Sequence, residues 1–286
     1  MTRHQLNPTR QLFAPSLGQT GTQRRLQGRR IIIVGAGQRS HPGAEGLVGN
    51  GRAISLLFAR EGAQLTCVDI SAPSVEETCN QIIAEGGSAH ARVCDIADAT
   101  AIPAMVAASA EQMGGLDGIV VVVGISSGRP LDKTDSATWD HEFAVNVRSN
   151  MMLAQQALER MEDGGSMLLI SSISALAAGS VNPAYESSKA AQIALARSIA
   201  MAGQARGIRC NSLLPGLIDT PIGRSATARR PERALRPVPF GRQGTGWEIA
   251  HAALFLMSHE ASYVNAQALV VDGGLTSGIS MPVAGD

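Results

Sequence analysis

The sequence has very little lysine and tyrosine. Of its 24 basic side chains only Lys133 and Lys189 are lysine, and its two tyrosines are Tyr185 and Tyr263. In a chain that uses arginine at almost every basic position, a lysine indicates a site that needs a compact ammonium group rather than a planar guanidinium. Tyr185 and Lys189 stand four residues apart, as a functional pair or as a chance pair on a surface helix.

The 286-residue chain also lacks net charge, paired cysteines and long apolar runs. Zero net charge gives no general attraction to nucleic acid or to a membrane, so neither is expected as a partner. The four cysteines form no CxxC pair and the histidines do not cluster, which argues against a disulfide framework and a catalytic metal. Reduced core cysteines, and no apolar run of about 18 residues, predict a cytoplasmic protein without a membrane span.

Residues 1–27 differ in composition from the rest of the chain. They contain four arginines and no acidic residue, and they are rich in Gln, Thr and Pro. Such a composition cannot bury a core, so we expect a disordered, Arg-rich extension followed by one domain over residues 28–286. The composition also resembles that of a transit peptide, although a ragged start of the chain is the simpler interpretation.

From residue 29 onward, short apolar runs alternate with longer amphipathic segments. Runs with little polar alternation, such as residues 31–34, 65–68 and 118–123, predict buried parallel strands. The segments between them predict helices, including one long helix over residues 137–162. The pattern predicts an α/β fold, a doubly wound parallel sheet of Rossmann type in a single domain. An irregular stretch rich in arginine and proline predicts a lid over about residues 217–242.

A glycine-rich stretch follows the first predicted strand. Gly35 and Gly37 come after the strand, and Gly49, Asn50 and Gly51 stand at the start of the next predicted helix. Glycine lets backbone N–H groups approach a pyrophosphate at the positive end of a helix, so we predict that these residues bind a dinucleotide. The residues 39–48 split the glycine set and are predicted to be an insertion. An ordinary mobile loop is the alternative.

Asp69 ends the second predicted strand. Its carboxylate can accept hydrogen bonds from both hydroxyls of an adenosine ribose, and it would repel the 2′-phosphate of NADP. The next residue, Ile70, offers no cation to that phosphate, so the predicted cofactor is NAD rather than NADP. A carboxylate that only caps the turn after the strand is the alternative.

Tyr185 and Lys189 fall on a predicted helix that starts after Asn182 and Pro183, a typical helix start. Residues four apart share a helix face, with Cβ atoms about 6 Å apart. The reference pKa of tyrosine, about 10, is too high for a good base at neutral pH, but a neighbouring cation favours the phenolate. The spacing therefore predicts that Tyr185 is an acid and base whose pKa is lowered by Lys189.

Together these residues resemble the short-chain dehydrogenase/reductase family, in its single-domain branch. The resemblance covers about residues 26–274 and implies an oxidoreductase that transfers a hydride between a secondary alcohol or ketone and a nicotinamide cofactor. It rests on the order and spacing of Gly35…Gly49-x-Gly51, Asp69, Cys94-Asp95-Ile96, Gly124, Asn146, Ser171-Ser172, Tyr185-x-x-x-Lys189, Pro215-Gly216…Thr220 and Val271-Asp272-Gly273-Gly274.

The resemblance also implies a role for each site residue. Ser172 would hold the substrate oxygen, with Ser171 and Ser174 as alternatives. Asn146 would position a water that links Lys189 to solvent, unless it is a solvated helix residue. The implied contacts to the cofactor are Asp95, Ile96, Gly124, Tyr185, Lys189, Pro215, Gly216, Ile218 and Thr220.

The sequence departs from the family pattern in three places. Val34 replaces a usual threonine, residues 121–124 read Val-Val-Val-Gly in place of Asn-Asn-Ala-Gly, and the glycine loop carries the insertion. The lost polar groups would brace the sheet and loop by hydrogen bonds, and none of them transfers a proton or a hydride.

Several alternatives remain open at the level of sequence. Within the lid, residues 224–242 carry six arginines but one acidic residue, Glu232, which suits either an anionic substrate or a solvated mobile loop. Rival functions are an NADPH-dependent 3-oxoacyl thioester reductase and a non-catalytic dinucleotide-sensing protein. The small residues over 190–202 suit close helix packing, and the resemblance implies a homodimer or homotetramer.

Overall fold

The computed structural model describes residues 17–19, 21, 23–179, 181–236 and 238–278. The first 16 residues of the predicted extension and the last eight residues of the predicted domain therefore lie outside the described residues.

A parallel sheet of seven strands forms the centre of the described chain, in the order β3-β2-β1-β4-β5-β6-β9, and β7 and β8 form a separate pair. The strand order reverses between β1 and β4, where doubly wound folds have their ligand crevice. The strands are β1 (Arg30–Val34), β2 (Gln64–Asp69), β3 (Ser88–Val93), β4 (Leu116–Val121), β5 (Met161–Ile170), β6 (Arg209–Pro215), β7 (Ile218–Asp219), β8 (Gly244–Thr245) and β9 (Ala268–Val271).

Helices cover both faces of this sheet. Alternate residues of each central strand point to opposite faces, so Ile31 and Ile33 pack with α1, α2 and α8, whereas Ile32 and Val34 pack with α3, α5 and α6. The predicted α/β fold is confirmed. The helices are α1 (Asn50–Arg60), α2 (Ala72–Ala84), α3 (Ala101–Met113), α4 (Ser136–Phe143), α5 (Ser149–Arg160), α6 (Pro183–Gly203), α7 (Pro221–Arg229) and α8 (Gly246–Met257).

Two predicted elements differ from the structure. The single helix predicted over residues 137–162 is interrupted by a π-helical segment, Ala144–Arg148, and β5 begins at Met161. The stretch predicted to be irregular contains α7, which begins with a Thr220 side chain that accepts a hydrogen bond from Gly223 N at 3.0 Å and with Pro221 in its first turn. Both start signals are local, so the sequence pattern alone could have indicated α7.

The predicted disorder of residues 1–27 does not hold for the end of that segment. The side chain of Leu26 is fully buried in the core, and Gln23 N and Arg25 N donate to the carboxylate of Glu61, Arg25 N at 2.9 Å. Composition alone could not predict this order, because one buried leucine and a few backbone hydrogen bonds anchor a polar segment whose average hydrophobicity is low.

The four cysteines are free and buried, in agreement with their interpretation as core residues. Among the described residues, no helix combines the length and the apolar character that crossing a membrane requires.

Candidate active site

Lys189 lies in the interior, one turn after Tyr185 on α6. Its side chain is 2% exposed, and its Nζ donates to the carbonyl oxygen of Ile170 at 2.9 Å and to Gln192 Oε1 at 3.1 Å. The Nζ atom lies 5.5 Å from the centre of the Tyr185 ring. At Gly124, a Cβ atom would lie 2.8 Å from this Nζ, so only a glycine leaves room for the lysine there. The structure thus brings together the two rare residue types and the predicted Gly124.

Burial raises the pKa of Tyr185 above its ordinary value, and the charge of Glu142 adds to this rise. The nearby hydroxyl of Ser172 and the positive charges of Arg233 and Arg230 act in the opposite direction but do not overcome burial. At neutral pH the phenol is therefore protonated, which suits a group that donates a proton.

The expectation that Lys189 makes the phenol acidic does not hold in this structure. Burial lowers the pKa of Lys189 itself to about 7, because the charged amine loses its hydration and meets only neutral acceptors. With its pKa lowered to about 7, the amine of Lys189 is neutral in the pH range where the phenol loses its proton, so it supplies no positive charge there. Helical spacing predicted the contact correctly, but not the desolvation that changes its electrostatics.

Three serines follow or lie close to the end of β5, and their hydrogen bonds distinguish them. Ser171 is buried and its Oγ donates to the backbone oxygen of Lys189 at 2.7 Å, which fixes α6 against the sheet. Ser172 is only partly buried; its Oγ accepts from Ser174 N at 3.1 Å, and its hydroxyl is near enough to Tyr185 to act against the rise in the pKa of the phenol. Of the three, Ser172 is the one that acts on the pKa of the phenol.

Asn146 is fully buried in the π-helical segment between α4 and α5. Its Nδ2 donates to Ile125 O and to Ser188 Oγ, both at 2.9 Å, and its Oδ1 accepts from Ile125 N at 2.9 Å. These contacts exclude the alternative of a solvated helix residue. The π-helical turn interrupts the regular ladder of helix hydrogen bonds, a feature often found at functional sites.

Gln192 is a site residue that sequence reasoning missed. It is fully buried; its Oε1 accepts from Lys189 Nζ, and its Nε2 donates to the backbone oxygen of Asn146 at 2.8 Å. Gln192 therefore links the amine of Lys189 to the backbone of Asn146 through two hydrogen bonds. A signal was present, because Gln192 is a polar residue in an alanine-rich run and lies three positions after Lys189 on the same helix face.

Glu142 is a second missed residue. It is 1% exposed on the last turn of α4, and its Oε1 accepts from Ser127 N at 2.6 Å, while Oε2 has no hydrogen-bond partner among the described residues. A buried carboxylate this close to a phenol opposes loss of the phenol proton. The sequence carried a signal, because Glu142 stands four residues before Asn146 and residues at that spacing share a helix face.

The glycine-rich turn forms a narrow passage between β1 and α1. A Cβ atom at Gly51 would lie 1.8 Å from the backbone oxygen of Gly35, so β1 and α1 approach as closely as backbones can. Gln38 closes the insertion: its Nε2 donates to Leu47 O at 3.0 Å and its Oε1 accepts from Gly49 N at 2.7 Å. The insertion therefore loops out without separating the two groups of glycines.

These residues fit a dinucleotide. Helix α1 has no acidic residue in its first turn, and its N-cap, Gly49, provides no side-chain cap, so the helix terminus keeps backbone N–H groups for an anion. Asp69, half-buried at the end of β2, accepts from Gly37 N at 2.9 Å and from Ser71 N at 3.1 Å, which leaves half of the acceptor capacity of a carboxylate. The next residue, Ile70, is 64% exposed, and its neutral side chain offers no positive charge to a 2′-phosphate.

The remaining predicted cofactor residues lie beside the carboxyl ends of other strands. Ile96 is buried after β3, and the neighbouring Asp95 is exposed with its Oδ1 bonded to Ala97 N at 2.9 Å. A Cβ atom at Gly216, after Pro215, would lie 2.5 Å from the Cβ of Asp272, so β6 and the segment after β9 are in close contact. Ile218 and Thr220 are buried at the base of the lid. Within the described residues, no three His, Cys, Asp or Glu side chains are grouped to hold a metal ion.

Comparisons with known proteins show which family the chain resembles. A family model described as enoyl-(acyl carrier protein) reductase matches residues 43–276. The D-threitol dehydrogenase of Mycolicibacterium smegmatis is 30% identical over 88% of this chain and 94% of its own length. The 3-oxoacyl-[acyl-carrier-protein] reductase of Thermotoga maritima is also 30% identical, over 88% of this chain and 99% of its own.

Among solved structures, a short-chain dehydrogenase from Burkholderia cenocepacia in complex with NADP superposes with a TM-score of 0.80. It is 28% identical, and the match covers 88% of this chain and 100% of that one.

Proposed function

Because the chain belongs to the short-chain dehydrogenase/reductase family, we propose that Tyr185 is the acid and base of a hydride transfer that uses NAD. The protein is an oxidoreductase that acts on CH–OH groups and transfers a hydride between a secondary alcohol or ketone and a nicotinamide cofactor. The observation that carries the proposal for Tyr185 is the convergence of a protonated phenol, the Ser172 hydroxyl and a buried amine at the carboxyl ends of β4 and β5.

Each of these residues has a distinct part in the reaction. The nicotinamide supplies or accepts the hydride when it is bound. Ser172 and Tyr185 hold the substrate oxygen between their hydroxyls. In reduction the protonated phenol of Tyr185 donates its proton to that oxygen, and in oxidation the phenolate that this donation leaves takes the proton back. Lys189 fixes the site by its bonds to Ile170 O and Gln192, and Asn146 holds the loop at Ile125 beside it.

The proposal of NAD rests on Asp69 and on the exposed Ile70. A carboxylate at the end of β2 suits a ribose with two free hydroxyls, and an isoleucine offers nothing to a 2′-phosphate. The similar dehydrogenase from Burkholderia cenocepacia was solved in complex with NADP, so a preference for NADP is the alternative that the assay must test.

The decisive experiment is a panel of secondary alcohols and ketones assayed with NAD and NADP by the absorbance of the reduced cofactor. We expect turnover with NAD and a lower kcat/KM with NADP. Tyr185→Phe should lower kcat by about 10²–10⁴-fold and leave dinucleotide binding intact. The matched control is Tyr263→Phe, because Tyr263 is exposed and should be indifferent.

The two rivals give other results. A 3-oxoacyl thioester reductase would oxidise NADPH faster than NADH and would prefer thioesters to simple ketones. A dinucleotide-sensing protein would bind the cofactor, turn nothing over and be insensitive to Tyr185→Phe. The observation that favours a sensing protein is the replacement of polar residues by valine. Two of these valines, Val34 and Val121, are 1% exposed and pack in the core.

We further propose that the protein works in the cytoplasm as a homodimer or homotetramer. The free, buried cysteines suit a reducing compartment. Helix α6 keeps exposed small residues and Met201, which is 51% exposed, on a face that could pack against a second copy. Light scattering on the purified protein would overturn this if it gave the mass of one chain.

A further inference from the structure

Apart from the exposed Arg229, the arginines of the lid fall into two sets. Arg224 donates to both carboxylate oxygens of Asp219, at 2.5 and 2.6 Å, and Arg242 forms an ion pair with Glu248 at 2.7 Å. Within the described residues, no carboxylate lies within 4.0 Å of Arg230, Arg233 or Arg236, which we call the lid arginine cluster. The lid thus uses acidic partners for some arginines and leaves others without one.

Arg233 is held in place by neutral groups. Its Nη1 donates to Thr227 Oγ1 at 2.8 Å and to the carbonyl oxygen of Gly223 at 3.3 Å, both on α7. The side chain is half-buried, and burial lowers its pKa, as do the charges of Arg230 and Arg236. A cation that is partly removed from water among like charges is unfavourable, and an anion between the guanidinium groups would relieve this.

The cluster lies near Tyr185 and near the segment that precedes α6. Arg233 and Arg230 are close enough to Tyr185 for their charges to oppose the rise that burial causes in the pKa of the phenol, and Tyr185 acts on Arg233 in turn. The Nη2 atom of Arg236 lies 3.7 Å from where a Cβ of Gly179 would stand, on the segment that leads into α6. The pyrophosphate is expected elsewhere, at the N-terminus of α1.

We propose that Arg230 and Arg233 form an anion-binding subsite beside Tyr185, and that the substrate is a secondary alcohol or ketone that also carries a carboxylate or another oxyanion. This rests on the proposed function, because Tyr185 defines which end of the substrate reacts. A guanidinium recognises a carboxylate through two parallel hydrogen bonds, so the subsite would fix the orientation of the substrate as well as its charge.

The test compares hydroxy acids, in which one to four carbons separate the carbinol from the carboxylate, with their methyl esters. We expect the wild type to prefer at least one acid over its ester by 10-fold or more in kcat/KM, as a rough scale for one charge-assisted contact. Arg233→Met and Arg230→Met should each lower kcat/KM for that acid by about 10- to 100-fold and change that for the ester by less than about 3-fold. The matched control is Arg229→Met, an exposed arginine at the end of α7.

Arg233 also bonds α7, so Arg233→Met changes the packing of the lid as well as its charge. Arg230→Met is the second variant, which tests the subsite without breaking those bonds. Equal kcat/KM for acids and esters, or equal losses on both in the variants, would overturn the subsite and leave the hydride transfer standing. A loss that appears in the KM of NAD rather than of the acid would assign the cluster to the phosphates of the cofactor and also overturn it.

A binding measurement separates this inference from the proposed function. Calorimetric titration of pentanoate into the protein saturated with NAD needs no turnover. If no alcohol is oxidised but pentanoate binds and Arg233→Met or Arg230→Met abolishes that binding, the subsite stands without the reaction. If pentanoate binds equally to wild type and variants, or not at all, the subsite does not exist.

Discussion

The glycine turn and the Tyr185 site both lie at the carboxyl ends of strands in one sheet, but they are built in opposite ways. The turn works through missing side chains: at Gly51 and Gly37 a single Cβ atom would collide with backbone or with Asp69. The Tyr185 site works through buried polar side chains that satisfy one another, as Lys189, Gln192 and Asn146 do. The first should therefore be sensitive to added volume, and the second to lost charge and lost hydrogen bonds.

The largest effect is expected from the buried charge of Lys189. Its pKa falls from 10.5 to about 7 on folding, so between these pH values the unfolded chain binds a proton that the folded chain does not. The free energy of unfolding should then rise with pH across this window, by on the order of 5 kcal/mol at its full extent. In Lys189→Met this contribution should be absent, as urea midpoints from pH 7 to 10 would show.

The chain supplies a matched control in Lys133→Met, because Lys133 is exposed and is the second of the two lysines. It should keep the pH dependence of the wild type. The burial argument would fail if both variants followed the same curve. The measurement stays below pH 10, since the raised pKa of Tyr185 places the titration of the phenol above that range.

The next effect concerns volume at the glycine turn. Gly51→Ala should lower the free energy of unfolding by about 3 kcal/mol and weaken dinucleotide binding, because the added methyl group meets the backbone oxygen of Gly35 and neither backbone can yield cheaply. Gly49→Ala is the comparison, since the nearest atom to its Cβ, Gln38 Oε1, is 3.5 Å away. Denaturation curves with equal midpoints for the two variants would contradict the close approach of β1 and α1.

A smaller effect is expected at Gln192. In Gln192→Leu the amine of Lys189 keeps Ile170 O but loses the amide acceptor, and Asn146 O loses a donor. An unsatisfied buried polar group destabilises by about 1–3 kcal/mol, so unfolding should become easier by about 2 kcal/mol. The exposed Gln204→Leu should change the urea midpoint very little. Should the two substitutions prove equivalent, Gln192 would not be part of the buried network.

The smallest effect is expected at Asp69, beside the glycine turn. There the preference for NAD over NADP should change by about 1 kcal/mol. Asp69→Asn keeps an acceptor for Gly37 N but removes the charge that would repel a 2′-phosphate. We expect the NAD/NADP ratio of kcat/KM to fall by about 10-fold. Exposed Asp132→Asn should leave the ratio as it is in the wild type. A ratio that does not move would show that Asp69 only caps the turn after β2.

Much of this protein was determined by local sequence. The alternation of apolar runs and amphipathic segments specified a parallel sheet with helices on both faces, since each buried strand needs cover on two sides. The spacing of Tyr185 and Lys189 specified a shared helix face, and the position of Asp69 specified a strand end. Each of these depends on neighbours within a few residues, which the sequence displays directly.

Tertiary structure decided the electrostatics. The low pKa of Lys189, the buried charge of Glu142 and the division of the lid arginines into paired and unpaired sets depend on residues far apart in the chain. Desolvation and charge interactions act through distance and burial, which exist only once the chain is folded. For that reason the sequence indicated which residues lie near Tyr185, and only the folded structure determined how burial and neighbouring charges shift their pKa values.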